Sequence, residues 1–335
     1  MIESLLIVGY GSIGKRHARL ARNLYPNAKI VILRHKSTKK LKNLNVNYSV
    51  TNLKDALKFK PEVAVIANPA THHLNVAQPL ANLGVHLLIE KPISNTSRDV
   101  LKLIDTCKLK KSTLMVGYNL RHMESLIKFR EILKNNTIGK ILSVRSEVGS
   151  YLPSWRPEMN YKKSVSARKA LGGGVLLELS HDIDYLLWLF GDIKWVSATT
   201  HKQSDLKIDT DDTAHITLGF ISSNKKKNII ANLNMDFNRH DTTRYCKVIG
   251  QKGTLYWNAI EGNIKLFEKG ANKWTEVFKK KNHTDSTYIS EWKHFINCIE
   301  NKKKPLVDGK DGFKVVKIIE AIQKSSNSSS IVYLT

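Results

Sequence analysis

The sequence feature that most constrains the fold is a glycine-rich loop near the start of the chain, Gly9-Tyr10-Gly11-Ser12-Ile13-Gly14. This G-x-G-x-x-G follows an apolar run at 5–8 that is typical of a buried strand, and it opens a helical pattern. In such a unit the first glycine permits a tight turn, the second lets the backbone approach a pyrophosphate, and the third lets helix and strand pack closely. The helix N-terminus adds free N–H groups for an anion. A glycine-rich turn without a ligand is the alternative, but the strand–loop–helix context favours dinucleotide binding.

The first half of the chain alternates short apolar runs with longer amphipathic segments. The pattern predicts buried strands at 5–8, 30–33, 63–66, 85–89 and 113–116, with helices at 14–24, 53–59, 71–83 and 97–109. Repeated strand and helix are typical of a parallel sheet with helices on both faces. We therefore expect an α/β Rossmann domain for dinucleotide binding over residues 1–118.

Residues 119–335 follow a different pattern, from which we expect an α+β domain with a large open, mainly antiparallel sheet. A helix at 123–134 and a strand at 141–148 precede a polar segment at 150–171 and, after three glycines, a helical stretch to Phe190. Closely spaced alternating segments then predict antiparallel strands at 195–201, 213–220, 228–237, 244–249, 253–258 and 264–268. Helices at 289–300 and 312–324 and an apolar run at 331–334 end the chain. An open sheet without a covering helix layer leaves an apolar face exposed, so we expect a homodimer or homotetramer.

The charge of the chain raises the question of a nucleic-acid partner. Lys and Arg number 54 against 29 acidic residues, a formal net charge of +25. The lysine clusters are scattered among apparent loops and do not alternate with aromatic residues as a base-stacking platform requires. We favour a generally basic surface, which attracts anionic small molecules, over nucleic-acid binding.

Membrane insertion, disulfides and a metal site are all disfavoured by the sequence. No apolar run approaches the roughly 18 residues of a membrane helix. The three cysteines, Cys107, Cys246 and Cys298, lie far apart without a CxxC pair, and the histidines form no ligand set at helical spacing. We expect a soluble, cytoplasmic protein without a structural metal.

The residues after the second strand bear on which dinucleotide binds. NAD-binding domains usually end this strand with an acid that binds the ribose 2′-OH. Here Arg34-His35-Lys36-Ser37-Thr38 follows instead, and Arg34 and Ser37 are suited to a 2′-phosphate. The sequence therefore favours NADP over NAD, with a solvated loop cation at Arg34 as the alternative.

Further motifs follow in order: Ala67-Asn68-Pro69-Ala70-Thr71-His72-His73, Glu90-Lys91-Pro92, Gly117-Tyr118-Asn119-Leu120-Arg121, and Gly172-Gly173-Gly174 leading to His181-Asp182-Ile183-Asp184. With the glycine loop, this set resembles the glucose–fructose oxidoreductase / inositol dehydrogenase / rhizopine catabolism (Gfo/Idh/MocA) family over nearly the whole chain. The resemblance implies a nicotinamide-dependent oxidoreductase for sugars, cyclitols or nucleotide sugars, whose second sheet often forms the oligomer interface. It also implies cofactor contacts beyond the loop, from Asn68, Pro69, His73, Glu90, Lys91 and Asn119.

The resemblance identifies Lys91 and His181 as catalytic candidates. Hydride transfer from a carbinol carbon needs a group that takes the hydroxyl proton, and histidine titrates in the right range. A lysine beside the nicotinamide stabilises the alkoxide and relays the proton. Since Lys91 follows a strand of the first domain and His181 belongs to the second, we expect them to close on the substrate from two walls of a cleft. A core histidine and a surface lysine are the alternatives.

One departure from the family pattern concerns the carboxylate near His181. Many relatives carry an Asp four residues before this histidine, where this chain has Leu177, and Glu178 stands three residues before it. Positions i and i+3 share a helical face, so Glu178 is a third catalytic candidate, with a role at the helix start as the alternative. Asp184 shares that face as well.

A polar segment before the three glycines predicts an active-site loop. It includes Tyr161 and Arg168, and its Trp-Arg-Pro pattern resembles relatives in surface-polysaccharide or unusual-sugar pathways. With Arg121 and Asp184, these residues are the predicted substrate contacts, and an ordinary surface arginine is the alternative for Arg168. A non-catalytic nucleotide-binding regulatory protein of the same fold is the alternative function, against which Lys91 and His181 together argue.

Overall fold

The computed structural model describes residues 2–35, 46–220, 228–281, 283 and 285–334. Within these ranges the chain forms two compact units, the chain up to Tyr118 together with Ile289–Val316, and Asn119–Tyr288 together with the chain from Lys317 onward. The sequence analysis assigns all of 119–335 to the second domain, whereas the structure places 289–316 with the first. Segment 289–316 belongs to the first unit because it is hydrogen-bonded to residues there. The Trp292 indole donates to His17, and Val307 O accepts from the Val116 N–H.

The first unit contains a parallel sheet with, among the described residues, six strands in the order β3-β2-β1-β4-β5-β6. The strands are β1 (Ser4–Val8), β2 (Lys29–Leu33), β3 (Tyr48–Val50), β4 (Val63–Ile66), β5 (His86–Glu90) and β6 (Leu114–Gly117). The strand order reverses beside β1, and ligands of such sheets bind outside the carboxyl ends of the strands at that point. The fold thus brings the residues after β1, β4 and β5 to one edge.

Four helices connect the described strands of this sheet: α1 (Ser12–Leu24), α2 (Leu53–Leu57), α3 (His73–Asn82) and α4 (Val100–Leu109). Strands β1 and β4 are buried along their whole length, as their continuous apolar sequences predict. Helix α1 buries one stripe that includes His17, Ala18 and Ala21. Together with the parallel sheet, these helices confirm the predicted Rossmann domain.

The second unit contains a mixed sheet, in which nine described strands follow the order β14-β13-β12-β11-β7-β10-β9-β8-β15. The strands are β7 (Ile141–Gly149), β8 (Ile193–His201), β9 (Thr213–Phe220), β10 (Ile229–Asp236), β11 (Thr243–Gly250), β12 (Gly253–Asn258), β13 (Asn263–Glu268), β14 (Thr275–Lys279) and β15 (Val332–Tyr333). Only β7 and β10 are parallel to each other within the described part of this sheet. The predicted large, mainly antiparallel sheet is confirmed.

Helices of the second half are α5 (Glu124–Lys134), α6 (Val175–Glu178), α7 (His181–Phe190), α8 (Ser286–Glu300) and α9 (Gly309–Ser328). Side chains of α5 and α7 pack on one face of the second sheet, where Trp257 donates to Ser125 Oγ at 2.9 Å and Phe190 lies edge-on to Phe220. The buried positions Ala231, Leu233 and Met235 of β10 point to this core face.

The opposite face of the sheet differs from the expectation of an exposed apolar surface. Its central rows across β9, β10 and β7 read Thr217–Asn232–Arg145 and His215–Asn234–Glu147. Asn232 donates to Thr217 and His215 is hydrogen-bonded to Asn234, so polar pairs occupy this part of the face. The expectation of a homodimer or homotetramer was based on an exposed apolar face of the sheet. At these positions the exposed face is polar, so they do not support that expectation.

Two further differences concern local structure. Strands β3 and β14 are absent from the sequence prediction because both are short and largely exposed. The predicted helical stretch to Phe190 is two helices, α6 and α7, separated by Leu179 and Ser180. No helix in the described ranges is long and apolar enough to cross a membrane.

Candidate functional site

The glycine loop has the geometry that its sequence predicts. Gly9 has φ +90°, and a Cβ there would stand 2.7 Å from Ala67 O. A Cβ on Gly14 would stand 2.2 Å from Gly9 O, so α1 packs against the loop at a distance that excludes any side chain. Gly11 is the residue before α1, and its carbonyl accepts from Lys15 N. The loop therefore presents the N-terminus of α1 at the carboxyl edge of the sheet.

The surroundings of the loop fit a dinucleotide. A Cβ on Gly11 would meet no described atom within 4 Å, and Gly11 and Ser12 are exposed, so the loop backbone is open to a ligand, with Tyr10 and Ile13 beside it. Next to it, after β4, Asn68 Oδ1 and Thr71 Oγ1 are buried without a hydrogen-bond partner among the described residues. Buried polar atoms are normally paired, and orphaned ones beside a phosphate loop are suited to the hydroxyl and amide groups of a nucleotide.

The end of β2 carries the candidate for cofactor selection. Arg34 is half-buried, its Nε donates to Ser49 Oγ at 2.9 Å, and its backbone N–H donates to Val50 O. Strand β3 thus holds the guanidinium group of Arg34 at its Nε end. Ser37, the second predicted 2′-phosphate contact, lies outside the described residues. Burial raises the pKa of Tyr10 in the glycine loop, and the nearby Arg34 charge opposes that rise.

His73 is placed differently from the sequence expectation of a cofactor contact. Its side chain is 1% exposed, with Nε2 2.8 Å from Asn68 O and Nδ1 3.0 Å from Pro92 O. Burial lowers the pKa of this imidazole. His73 braces the loop after β4 against the loop after β5, and it is Asn68 and Pro69, both half-buried, that lie at the edge of the sheet.

Glu90 is likewise an internal residue, although the sequence analysis counts it among the cofactor contacts. It is the last residue of β5 and 7% exposed, and its carboxylate accepts from His17 Nε2 at 2.7 Å and from Lys91 N at 3.2 Å. Lys91 itself is half-buried and follows the strand directly. Of the Glu-Lys-Pro motif, Lys91 therefore remains the candidate for a ligand contact.

In the second unit, His181 is the first residue of α7 and is half-buried. The next residue, Asp182, is fully buried with Oδ2 3.2 Å from Arg244 Nε of β11, and burial raises the pKa of its carboxyl. This attachment fixes the start of α7 and thereby His181. Glu178 closes α6, so the shared helical face that the sequence predicts for Glu178 and His181 is interrupted at Leu179 and Ser180.

Two of the predicted substrate contacts, Arg121 and Asp184, bind each other instead. Arg121 Nε and Nη2 donate to the two carboxylate oxygens of Asp184 at 2.9 and 2.7 Å, and the residues are 4% and 0% exposed. Such a bidentate, desolvated pair has its charge satisfied inside the protein, so these residues anchor α7 to the segment 119–122.

The remaining predicted residues lie on the surface or in the core of the second unit. Arg168 is exposed, with Nε 3.4 Å from Lys162 O, and the Tyr161 hydroxyl accepts from Lys207 N at 3.3 Å. Both stay available to a ligand of the loop. Asn119 is 6% exposed and its amide donates to Thr287 Oγ1 at 3.0 Å, so it is a core contact.

The sequence analysis misses three buried residues behind Lys91. His17 and Trp292 are both fully buried and hydrogen-bonded to each other, and Glu291 is fully buried beside them in α8. The apolar stripe of α1 contains His17, which is the one signal that could have marked it. Across the described residues, no group of three His, Cys, Asp or Glu side chains is arranged to hold a metal.

Comparisons with known proteins place both halves of the chain. A family model described as "Oxidoreductase family, NAD-binding Rossmann fold" (GFO_IDH_MocA) matches residues 4–118, and one described as "Oxidoreductase family, C-terminal alpha/beta domain" (GFO_IDH_MocA_C) matches residues 130–334. The myo-inositol 2-dehydrogenase of Thermotoga maritima is 25% identical over 98% of this chain and 97% of its own length.

Three further similarities are informative. The levoglucosan dehydrogenase of Pseudarthrobacter phenanthrenivorans is 31% identical over 142 residues, which span 41% of this chain and only 36% of that protein. A levoglucosan dehydrogenase structure in complex with NADH and L-sorbose has a TM-score of 0.86 at 19% identity, with 99% of each chain covered. The WlbA dehydrogenase from Bordetella pertussis in complex with NADH and UDP-GlcNAcA has a TM-score of 0.82 at 20% identity, covering 100% of this chain and 99% of that one. At these identities the structural matches establish the fold.

Proposed function

Because the chain belongs to the Gfo/Idh/MocA oxidoreductase family, we propose that it transfers a hydride between a nicotinamide cofactor and a carbinol carbon of a sugar, cyclitol or nucleotide sugar. The observation that carries the proposal is the glycine loop, which exposes the N-terminus of α1 while Lys91 follows β5 at the same carboxyl edge of the sheet. Ligands of doubly wound sheets bind at this edge. The relatives named myo-inositol 2-dehydrogenase and levoglucosan dehydrogenase support a polyol or sugar substrate.

In this proposal the cofactor supplies the hydride acceptor or donor, and the first unit holds it. The backbone of Gly11 and Ser12 receives the pyrophosphate, since it is open and carries the positive end of α1. Asn68 supplies an unpartnered amide oxygen for a nucleotide hydroxyl. His73 and Glu90 keep the flanking loops in place without facing the ligand.

Lys91 and His181 are the proposed catalytic residues. When a carbinol is oxidised, its hydroxyl proton must leave as the hydride departs, and the Lys91 amine is suited to stabilise the developing alkoxide. His181 is the proposed acid/base, because histidine is the side chain that most often serves as general acid or base in catalysis. Glu178, at the end of α6, is the third catalytic candidate in this scheme and either orients His181 or contacts the substrate. Tyr161 and Arg168 bind the substrate.

The basic loop at Arg168 favours an anionic substrate, such as a sugar bearing a phosphate or diphosphate. A role in making surface-polysaccharide sugars belongs to the proposal, and it rests on the resemblance of this segment to relatives in such pathways. Arg168 is exposed, as are Lys162 and Lys163 beside it. The neighbour that binds UDP-GlcNAcA shares this fold and supports a nucleotide sugar as one member of the substrate class.

A screen of cyclitols, free sugars and nucleotide sugars with NAD⁺ and NADP⁺, followed by nicotinamide absorbance, tests the function. With the substrate that responds, Lys91→Ala and His181→Ala should each lower kcat by about 10²–10⁴ with near-normal cofactor affinity. The matched controls are Lys58→Ala and His215→Ala, which remove an exposed lysine and an exposed histidine elsewhere.

Each outcome of the screen has a distinct meaning. Cofactor binding without turnover of any compound would favour the non-catalytic regulatory alternative. A His181→Ala enzyme that keeps most of its turnover would remove the histidine from the mechanism, and Glu178 or Tyr161 would be tested next.

A further inference from the structure

Three side chains form a continuous buried chain of hydrogen bonds behind Lys91. The Trp292 indole Nε1 donates to His17 Nδ1 at 2.9 Å, and His17 Nε2 lies 2.7 Å from Glu90 Oε1. Trp292 and His17 are 0% exposed and Glu90 is 7% exposed. This series of hydrogen bonds thus connects α8, α1 and the end of β5. Because its side chains are buried, their hydrogen bonds are made to one another and not to bulk water.

The donors and acceptors determine where the imidazole proton lies. An indole nitrogen can only donate, so His17 Nδ1 must accept and carries no proton. The remaining nitrogen, Nε2, therefore carries the proton and donates it to the Glu90 carboxylate. Trp292 in this way selects one tautomer of His17, and that tautomer is the one that holds Glu90.

The far side of the Glu90 carboxylate is directed at Lys91. Glu90 Oε2 accepts from the Lys91 backbone N–H at 3.2 Å. The Lys91 charge also acts on Glu90, because it is among the causes that lower the pKa of this carboxyl, together with His17. Gly117 of β6 leaves room for the carboxylate, since a Cβ there would stand 3.2 Å from Glu90 Oε2.

A second buried carboxyl, that of Glu291, explains why Glu90 is the ionised one of the two. Glu291 is 0% exposed, and both of its oxygens lack a hydrogen-bond partner among the described residues. Burial and the Glu90 charge raise the pKa of the Glu291 carboxyl well above the usual range, which favours its protonated form. When two nearby carboxyls share a buried region, one ionises and the other keeps its proton.

We propose that His17 and Trp292 are positioning residues for catalysis, which fix the Glu90 carboxylate and through it the backbone from which the Lys91 side chain extends. The inference rests on the proposed catalytic role of Lys91. A core built for packing alone gains nothing from this series of hydrogen bonds, because apolar residues of similar volume stabilise an interior as well as or better than a buried charge with its polar partners. A fixed carboxylate under a reacting lysine has a use, since small displacements of a catalytic group cost much of its rate.

The kinetic test compares His17→Phe, His17→Gln and Trp292→Phe with the substrate found in the screen. His17→Phe should lower kcat by about 10- to 100-fold, the effect of misplacing a catalytic group, while KM for the cofactor stays nearly unchanged. His17→Gln keeps an N–H donor for Glu90 and should recover most of the rate, and Trp292→Phe should fall between the two. The matched control is His86→Phe, which removes a half-buried histidine of the same strand β5. The imidazole of His86 accepts a hydrogen bond from Thr113 N.

Two readouts do not depend on a substrate. Nitrogen-15 spectra of the His17 ring should show a protonated Nε2 and a bare Nδ1 in the wild type. In Trp292→Phe, Nε2 should keep its proton because the Glu90 carboxylate still accepts from it, while the Nδ1 signal should shift because Nδ1 has lost the indole donor. Competitive acetylation read by mass spectrometry should modify Lys91 several-fold faster in His17→Phe than in the wild type, with Lys58 as internal reference.

The outcomes separate this inference from the proposed function. If Lys91→Ala loses activity while His17→Phe keeps its kcat and its Lys91 reactivity, the positioning role is overturned and the function stands. A His17 ring that carries its proton on Nδ1 overturns the inference whatever the rates are. If no substrate is found, or if Lys91→Ala is fully active, the proposed function fails, and the spectra and acetylation still decide whether the chain holds Lys91.

Discussion

Glu291 offers a sharp test of the electrostatics of the first unit, because its carboxyl is fully buried and both oxygens lack partners among the described residues. We expect Glu291→Met to stabilise the protein, since methionine has a similar volume and no polar atoms. Leaving a buried polar group unpaired costs about 1–3 kcal/mol, which the substitution removes at every pH.

A second, pH-dependent part follows from the raised pKa of Glu291. An acid whose pKa is higher in the folded state stabilises the fold fully below its unfolded value of about 4.3, and this stabilisation is lost as pH rises toward the folded pKa. The advantage of Glu291→Met should therefore grow with pH, by at most about 2.7 kcal/mol between pH 5 and pH 7.

Thermal unfolding by circular dichroism at pH values from 5 to 8 measures both parts. Glu291→Gln is the informative companion, because its amide is still unpaired but cannot ionise, so it should remove the pH dependence without the constant gain. Glu300→Gln, an exposed glutamate at the end of the same helix, is the control and should change stability by less than about 0.5 kcal/mol. A Glu291→Met protein that is less stable than the wild type at pH 7, or whose difference does not vary with pH, would refute the reasoning.

Four further predictions concern other parts of the chain. Asp184→Asn removes the buried negative charge opposite the Arg121 guanidinium and should cost about 3–5 kcal/mol in thermal unfolding, and a loss below 1 kcal/mol would contradict the ion pair. Gly14→Ala places a Cβ 2.2 Å from Gly9 O and should weaken NADH binding at least 10-fold by fluorescence titration, while Gly84→Ala, which strains a backbone at φ +78° outside the loop, should leave NADH binding unchanged. The wild type should bind NADPH more tightly than NADH and Arg34→Asp should reverse that order, an idea that equal affinities would reject. Light scattering should show a homodimer or homotetramer, against which a mass near the 38.0 kDa of one chain would count.

The parts of the fold that depend on short-range pattern were predictable. Continuous apolar runs predict the buried parallel strands, and the spacing of the three glycines predicts the loop at Gly9 and Gly14. The sequence pattern does not reveal strands β3 and β14, because an exposed edge strand needs no apolar sequence. The return of segment 289–316 to the first unit also escapes, since its packing depends on partners far away along the chain, such as His17 for Trp292.

The candidate site was predictable only in part, for a related reason. A charged residue in a motif reads the same whether it faces a ligand or another protein charge. Arg121 and Asp184 are 63 residues apart and satisfy each other, which no local pattern reveals. His73 is equally uninformative from sequence, because both of its ring nitrogens face backbone carbonyls of loops that only the fold brings together.

The Glu-Lys-Pro motif shows which of these errors elementary geometry can correct. Glu90, the last residue of β5, has a buried side chain, whereas Lys91 lies directly after the strand and is half-buried, so the two adjacent charged residues stand in different surroundings. The residue with the buried side chain must then find its partners inside, as Glu90 does in His17. A motif of adjacent charged residues after a parallel strand is therefore best interpreted as one residue for the ligand and one that holds it in place. By the same reasoning, a polar residue in the apolar stripe of the helix that packs on that strand, such as His17 in α1, is the first candidate for the inner partner.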